Sequence, residues 1–217
     1  LPLAVATSLP IASAPYPADG AVVDPLDPNF QLAWTSAGNS NSICLGSDYT
    51  AVAKAVSGSP EWKGEQAGTS YDPGALTDDT TYYWSVDVSD GGETTYGRIW
   101  SFHVAALPPL TWDGEALDGQ WSSANNWDRN VVPSAVDAVI VGQSATVMGA
   151  STVFESLEVQ AGASVTLAPE GEFLSDKTLD IAGTLNIAGV FRPYGCTLNP
   201  VVRRCMSIAV LPSILRA

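Results

Sequence analysis

The stretch SLEVQAGASVTLAPEGEFLSDKTLDIAGTLNIAG, Ser156 to Gly189, decides the reading of the second half of this chain. Leu157, Val159, Val165 and Leu167 alternate with small or polar residues, and Leu179, Ile181, Leu185 and Ile187 repeat the alternation. Period-two patterning over short runs is the signature of half-buried β-strands. Gly162, Gly171, Gly183 and Gly189 punctuate the runs, so that LEVQAGASVTL and LDIAGTLNIAG read as two copies of one phrase. A strand unit this short cannot bury its apolar face alone and must stack on copies of itself. The pattern predicts the rungs of a parallel β-helix with the eight named apolar residues facing inward.

Upstream lies the opening TWDGEALDGQWSSANNWDRNVVPSAVDAVIV, Thr111 to Val141. Its Trp112, Trp121 and Trp127 have two uses. They could form an aromatic platform that stacks on sugar faces, or they could cap the first rung, which would otherwise face water. Each large ring can bury roughly 150–250 Å², which suits a cap. Asp113, Glu115, Asp118 and Asp128 also gather here. They read as hydrated loop acids; the functional alternative is calcium held by Asp113 and Asp118 with carbonyls exposed at the glycine turns, since calcium takes oxygen ligands. The spacing is not that of an EF-hand loop. Calcium is the only cofactor that the residues suggest.

The first half has a different rhythm. Phe30, Leu32 and Trp34 alternate, Ser42 to Leu45 forms a short apolar run, and Tyr82, Trp84, Val86 and Val88 occupy every second position. Trp100, Phe102 and Val104 do the same, while Asp72-Pro73-Gly74 and Asp90-Gly91-Gly92 supply turns. Short alternating strands broken by Gly, Pro and Asp predict a two-sheet sandwich over residues 15–104. Residues 105–110 (AALPPL) read as a linker, because consecutive prolines stiffen the backbone and end strand pairing.

PYPADGAVVDP, QLAW, CLGSDYTAV, TSYDPGALTDDTTYYWSVDV and GRIWSF together resemble a bacterial fibronectin type III-like domain over about ninety residues. In that family leucine, threonine and tyrosine precede the sixth strand, matched here by Leu76, Thr80 and Tyr82. The resemblance implies that Tyr82 is a tyrosine-corner residue whose hydroxyl ties the crossover loop to the sheet. It also makes Trp34 the central core tryptophan of the second strand. Trp112, Asp113, Gly114, Trp121, Ser122, Asn126, Trp127, Pro133 and Asp137, with the rungs that follow, resemble the start of β-solenoid passengers in large bacterial surface and autotransporter-like proteins. The expected fold is therefore all-β: an Ig-like, fibronectin type III-like sandwich, then a short, incomplete parallel β-helix over residues 111–189.

Both flanks depart from this frame. Residues 1–14 (LPLAVATSLPIASA) read equally as a signal-peptide remnant ending in A-x-A or as an interdomain linker, and either implies an exported protein. Residues 190–217 contain Arg192, Arg203, Arg204 and Arg216 but no acid, whereas every acidic residue lies at or before Asp180. This tail is expected to lie outside the β-helix, as out-of-frame or foreign sequence; the alternative is a short helix covering the open end.

Nine basic against 23 acidic residues give a formal charge of −14. Such a chain repels nucleic acid and anionic lipid and is compatible with neutral glycans and basic partners. No apolar run approaches the ~20 residues of a membrane span. Three cysteines form neither a disulfide framework nor a metal-ligand spacing. The single histidine, His103, points away from the sandwich core by strand parity and lacks a nucleophile motif. Carboxylates remain as catalytic candidates, with Asp78, Asp79 and Asp87 on loops and exposed faces of the sandwich, but a glycosidase needs two across one cleft. Trp62, in the charged loop SPEWKGEQ, is the best single contact residue for a ligand; edge packing is the plainer role. Cys44 reads as a buried small hydrophobe at an inward or edge position.

The expected function is a non-catalytic extracellular scaffold, adhesin-like or carbohydrate-contacting module of a larger secreted or bacterial cell-surface protein, with polysaccharide or cell-surface glycan as partner. The rivals are a fragment of a carbohydrate-active enzyme and a small carboxylate-based hydrolase.

Overall fold

The computed structural model describes residues 11–147, 152–167, 172–175, 178–187 and 190–193. The chain is all-β and divides into two compact units, Leu1–Leu107 and Pro108–Ala217.

In the first unit, β1 (Ser13–Tyr16), β2 (Ala21–Val23), β3 (Leu32–Thr35), β4 (Ser40–Gly46), β5 (Trp62–Gln66), β6 (Ser70–Tyr71), β7 (Thr80–Ser89), β8 (Thr94–Thr95) and β9 (Trp100–Val104) form two sheets. One has the order β1-β3-β6; the other runs β2-β9-β7-β4-β5, with β8 added on β7. The inward residues foreseen from alternation meet between them: Leu32 and Trp34 share a buried core with Ile43, Trp84, Val86, Val88, Trp100 and Phe102. Trp34 and Trp84 pack with ring centroids 6.2 Å apart, and Phe30 and Phe102 at 5.4 Å. Such tilted aromatic pairs add specific geometry to the hydrophobic gain. The Tyr82 hydroxyl accepts the Thr77 backbone N–H at 3.0 Å, which pins the segment entering β7.

One short helix, α1 (Tyr49–Ala53), follows β4. Asp48 caps it by accepting the Ala51 N–H at 2.8 Å, which satisfies a donor that the first helical turn cannot pair internally. Five residues give no helical period to detect, so the sequence reading did not foresee it.

In the second unit, β10 (Leu110–Trp112), a 3-10 turn (Ala124–Asn126), and β11 (Ala138–Val141) to β12 (Ala145–Val147) lead into three parallel sheets. They are completed by β13 (Thr152–Val153), β14 (Ser156–Val159), β15 (Ser164–Leu167), β16 (Glu172–Ser175), β17 (Thr178–Ile181), β18 (Thr184–Ile187) and β19 (Val190–Pro193). The sheet orders are β10-β11-β14-β17, β12-β15-β18 and β13-β16-β19, so each turn of chain gives one strand to each sheet. Val139, Leu157 and Leu179 align in register, as do Val141, Val159 and Ile181. Ala145, Val165 and Leu185 form a third column in the next sheet. These columns are buried in one core, which is what a two-residue period requires when identical faces stack.

Several boundaries differ from the sequence reading. Ala12 is buried in the sandwich core and Ser13 pairs with Thr35, so the end of the stretch read as leader or linker contributes to the first sheet. Leu110, assigned above to the linker, is fully buried and pairs with Val139, because its apolar side chain belongs to the core of the second unit. The parallel stack also runs past Gly189: Glu172–Ser175 pairs in register with Val190–Pro193, so the first four residues of the expected tail belong to it. The third strand of each turn had no clean alternation and went unseen. Residues 1–10 and 194–217 lie outside the described residues.

Candidate functional site

The opening of the second unit is organised by Asn126, which is fully buried. Its side-chain nitrogen donates to Asp118 Oδ1 at 2.7 Å and to the Gln120 carbonyl at 2.9 Å, and its side-chain oxygen accepts the Ala116 N–H at 2.9 Å. Its backbone carbonyl accepts the N–H groups of Asp113 and Gly114. A buried amide with every polar atom engaged is stabilising, whereas a partly satisfied one is costly. The Asp118 carboxylate also accepts from the Ser123 hydroxyl and the Gln120 N–H. The Ser123 bond, then those from Gln120 and Asn126, hold its acid below the usual aspartate range.

This network places three tryptophans on the first turn of the coil. Trp121 and Trp127 meet edge to face at 4.7 Å, Trp112 and Trp127 at 5.1 Å, and the Trp127 indole N–H donates to the Trp121 carbonyl at 2.9 Å. Gly119 and Trp121 exchange backbone hydrogen bonds with Thr146, so the opening adds an irregular extra layer on β12. Trp112, Trp121 and Trp127 are each no more than 2% exposed. A sugar platform needs an open ring face; these rings are packed against one another as a cap. Asp113 Oδ1 accepts the Glu115 N–H, a local turn bond. Among the described residues no three His, Cys, Asp or Glu side chains converge as metal ligands.

A second constellation lies on the outer face of the larger sandwich sheet. There Ser42 and Cys44 on β4 pair with Asp87 and Ser85 on β7, and their neighbours Ile43, Trp84 and Val86 point to the core. Cys44 is buried, as expected, but on this outer face. Trp62 stands on edge strand β5 rather than in a loop; it is half-buried and its indole N–H donates to the Ser42 hydroxyl at 2.9 Å. A cleft of about 310 Å³ opens beside this row, lined by Cys44, Ser85, Asp87, Val52, Tyr96 and Ile99 among others. Burial raises the Cys44 thiol above its ordinary value, with the Asp87 charge adding to the effect. Burial likewise raises the Asp87 carboxyl, partly opposed by the Gly97 N–H that it accepts at 2.7 Å. Asp87, read above as an exposed acid, is thus half-buried with a shifted titration, a combination that marks functional candidates. Nothing in the alternation of β7 separates it from a hydrated acid, because its burial comes from α1 and the segment before β9.

Several other acids are engaged in turns. A cleft of about 370 Å³ is rimmed by Asp24, Asp27 and Asp72, but these accept the backbone N–H of Leu26, Asn29 and Gly74 as turn formers. His103 is half-exposed, with one ring nitrogen 3.2 Å from the Thr81 hydroxyl and the other 3.5 Å from Asp79. Asp78 accepts the Leu107 N–H at 3.2 Å. Among the described residues no helix is long and apolar enough to cross a membrane.

No protein-family model, curated protein or solved structure matches this chain.

Proposed function

We propose that this chain is a non-catalytic scaffold region of a larger secreted or bacterial cell-surface protein, with a fibronectin type III-like spacer followed by the capped start of a β-solenoid. The observation that carries this reading is the in-register parallel stack over the tryptophan layer. A stack closed at one end by a cap and extended by repeating turns builds length, which is the mechanical task of such regions. The three-strand sheet facing the larger sheet, and the Tyr82 bond to Thr77, support the spacer assignment. An acidic surface suits an exported protein that must stay soluble beside other chains.

The test is exposure on intact cells of the source organism. A membrane-impermeant biotinylation reagent should label the chain without lysis, or the chain should be recovered from the medium. Labelling only after lysis overturns the reading. Turnover of a glycoside or polysaccharide that disappears in Asp113→Asn or Asp118→Asn would replace the scaffold by a hydrolase.

A further inference from the structure

The cleft beside α1 has chemistry that a spacer domain does not need. Its lining is mixed: Ile99 and Val56 give it an apolar side, with Val52 buried beneath, beside the polar Ser85, Asp87 and Lys54. Tyr96 also lines it while its side chain stands 80% exposed, so an aromatic ring is available rather than packed away. Asp87 lines it as well, with one carboxylate oxygen taken by the Gly97 N–H and the other receiving no hydrogen bond from the described residues. A half-buried carboxylate with one open oxygen, an exposed ring and an apolar wall is a receptor for a cation carried on a hydrocarbon stem. We propose that this cleft binds a primary alkylammonium group, the chemistry of a lysine side chain or of a small diamine.

The methylenes pack on Val56 and Ile99, and the ammonium donates to the open oxygen of Asp87 in a charge-assisted bond. Tyr96 offers a π-face to the same cation. The formal charge of −14 draws cations to the surface and disfavours anionic ligands. Lys54 also lines the cleft. The inference is independent of the scaffold reading, because it concerns direct binding by the isolated chain.

The experiment titrates the full chain with Nα-acetyl-lysine N-methylamide, 1,5-diaminopentane and, as the neutral control, 1-pentanol, with binding followed by NMR shifts of the Asp87, Gly97 and Ile99 amides. Both amines should bind and pentanol should not. A better fit of the lysine derivative identifies a protein partner, and a better fit of the diamine a free polyamine. Asp87→Asn keeps an acceptor for Gly97 N–H and should weaken amine binding about tenfold or more, as expected for a lost charge-assisted bond. Absence of amine binding by the folded parent, equal binding of pentanol, or amine binding unchanged in a folded Asp87→Asn variant overturns the proposal.

Discussion

The side-chain nitrogen of Asn126 donates to the Asp118 carboxylate at 2.7 Å, joining the middle of the coil's opening to its tryptophan-bearing end. The pair draws in Ala116, Gln120 and Ser123, so one buried amide and one carboxylate hold a loop that has almost no regular structure. Trp121 lies within that network in sequence, Trp127 directly follows it, and the two rings meet edge to face. The cap is therefore a polar frame with an aromatic lid.

Asn126→Ala should cost about 1–3 kcal/mol, since it leaves the part-buried Gln120 carbonyl and Ala116 N–H without their partner. Asn126→Asp should be worse than Asn126→Ala near neutral pH, because it sets a second carboxylate against Asp118. Denaturant titration with tryptophan fluorescence measures both. An Ala variant as stable as the parent would show that the network does not hold the cap.

The two shifted aspartates give opposite pH signatures. Asp118 is held low by its donors, so its contribution is present above its unfolded value and is lost as pH falls through the folded one. Asp87 is raised by burial, so its contribution is present below its unfolded value and is lost as pH rises through the folded one. Urea midpoints measured from acid to neutral pH should therefore fall less on the acid side in Asp118→Asn, and in Asp87→Asn should decline less above the ordinary aspartate range. Parallel curves for parent and variants would contradict both assignments.

Trp34→Ala and Tyr82→Phe separate packing from hydrogen bonding in the sandwich. The Trp34 indole N–H donates to Asn41 Oδ1 at 3.0 Å, and Asn41 is itself fully buried. Removing the ring opens a cavity and leaves that oxygen unpaired, for a loss of about 3–5 kcal/mol. Tyr82→Phe keeps the ring stacked on Phe102 and removes the bond to Thr77, for about 1 kcal/mol. Chemical denaturation resolves the two, and equal losses would mean that the Thr77 bond does more than close a turn.

Legibility from sequence followed periodicity. Leu157, Val159, Leu179 and Ile181 were readable because a strand face repeats every second residue and stacked turns repeat that face. Phe173 and Phe191 align in the third sheet just as closely, yet their segments have too few alternating residues to stand out. The site was less legible. Trp62 looked like a loop contact because Lys63 and Glu65 surround it, but those residues are the exposed positions of an edge strand. Asp87 read only as an exposed acid, since the cleft around it is built by α1, far upstream in the chain, together with the segment before β9. Asn126 was visible only as part of a resemblance; its role as a hub depends on a loop conformation that no period encodes.

The turns of the coil supply the last prediction, from two glycines that serve different ends. Gly162 has φ +89° with open space around the position of a Cβ, so Gly162→Ala meets backbone strain alone, about 1–2 kcal/mol. Gly183 has no positive φ, but a Cβ there would collide with the Gln160 and Ala163 carbonyl oxygens and with Val159. Those carbonyls belong to the turn stacked directly on it: Thr184 N–H donates to Ala163, and Gly183 N–H to Val159. Backbone in a hydrogen-bonded stack cannot withdraw without parting the rungs, so Gly183→Ala should cost about 3 kcal/mol or more. Hydrogen exchange at the Gly183 and Thr184 amides reads this locally, leaving the sandwich amides as an internal control. Strong deprotection in Gly183→Ala with little change in Gly162→Ala is the expected outcome. The reverse order would mean that the turns tolerate widening and that the stack is held by its apolar columns alone.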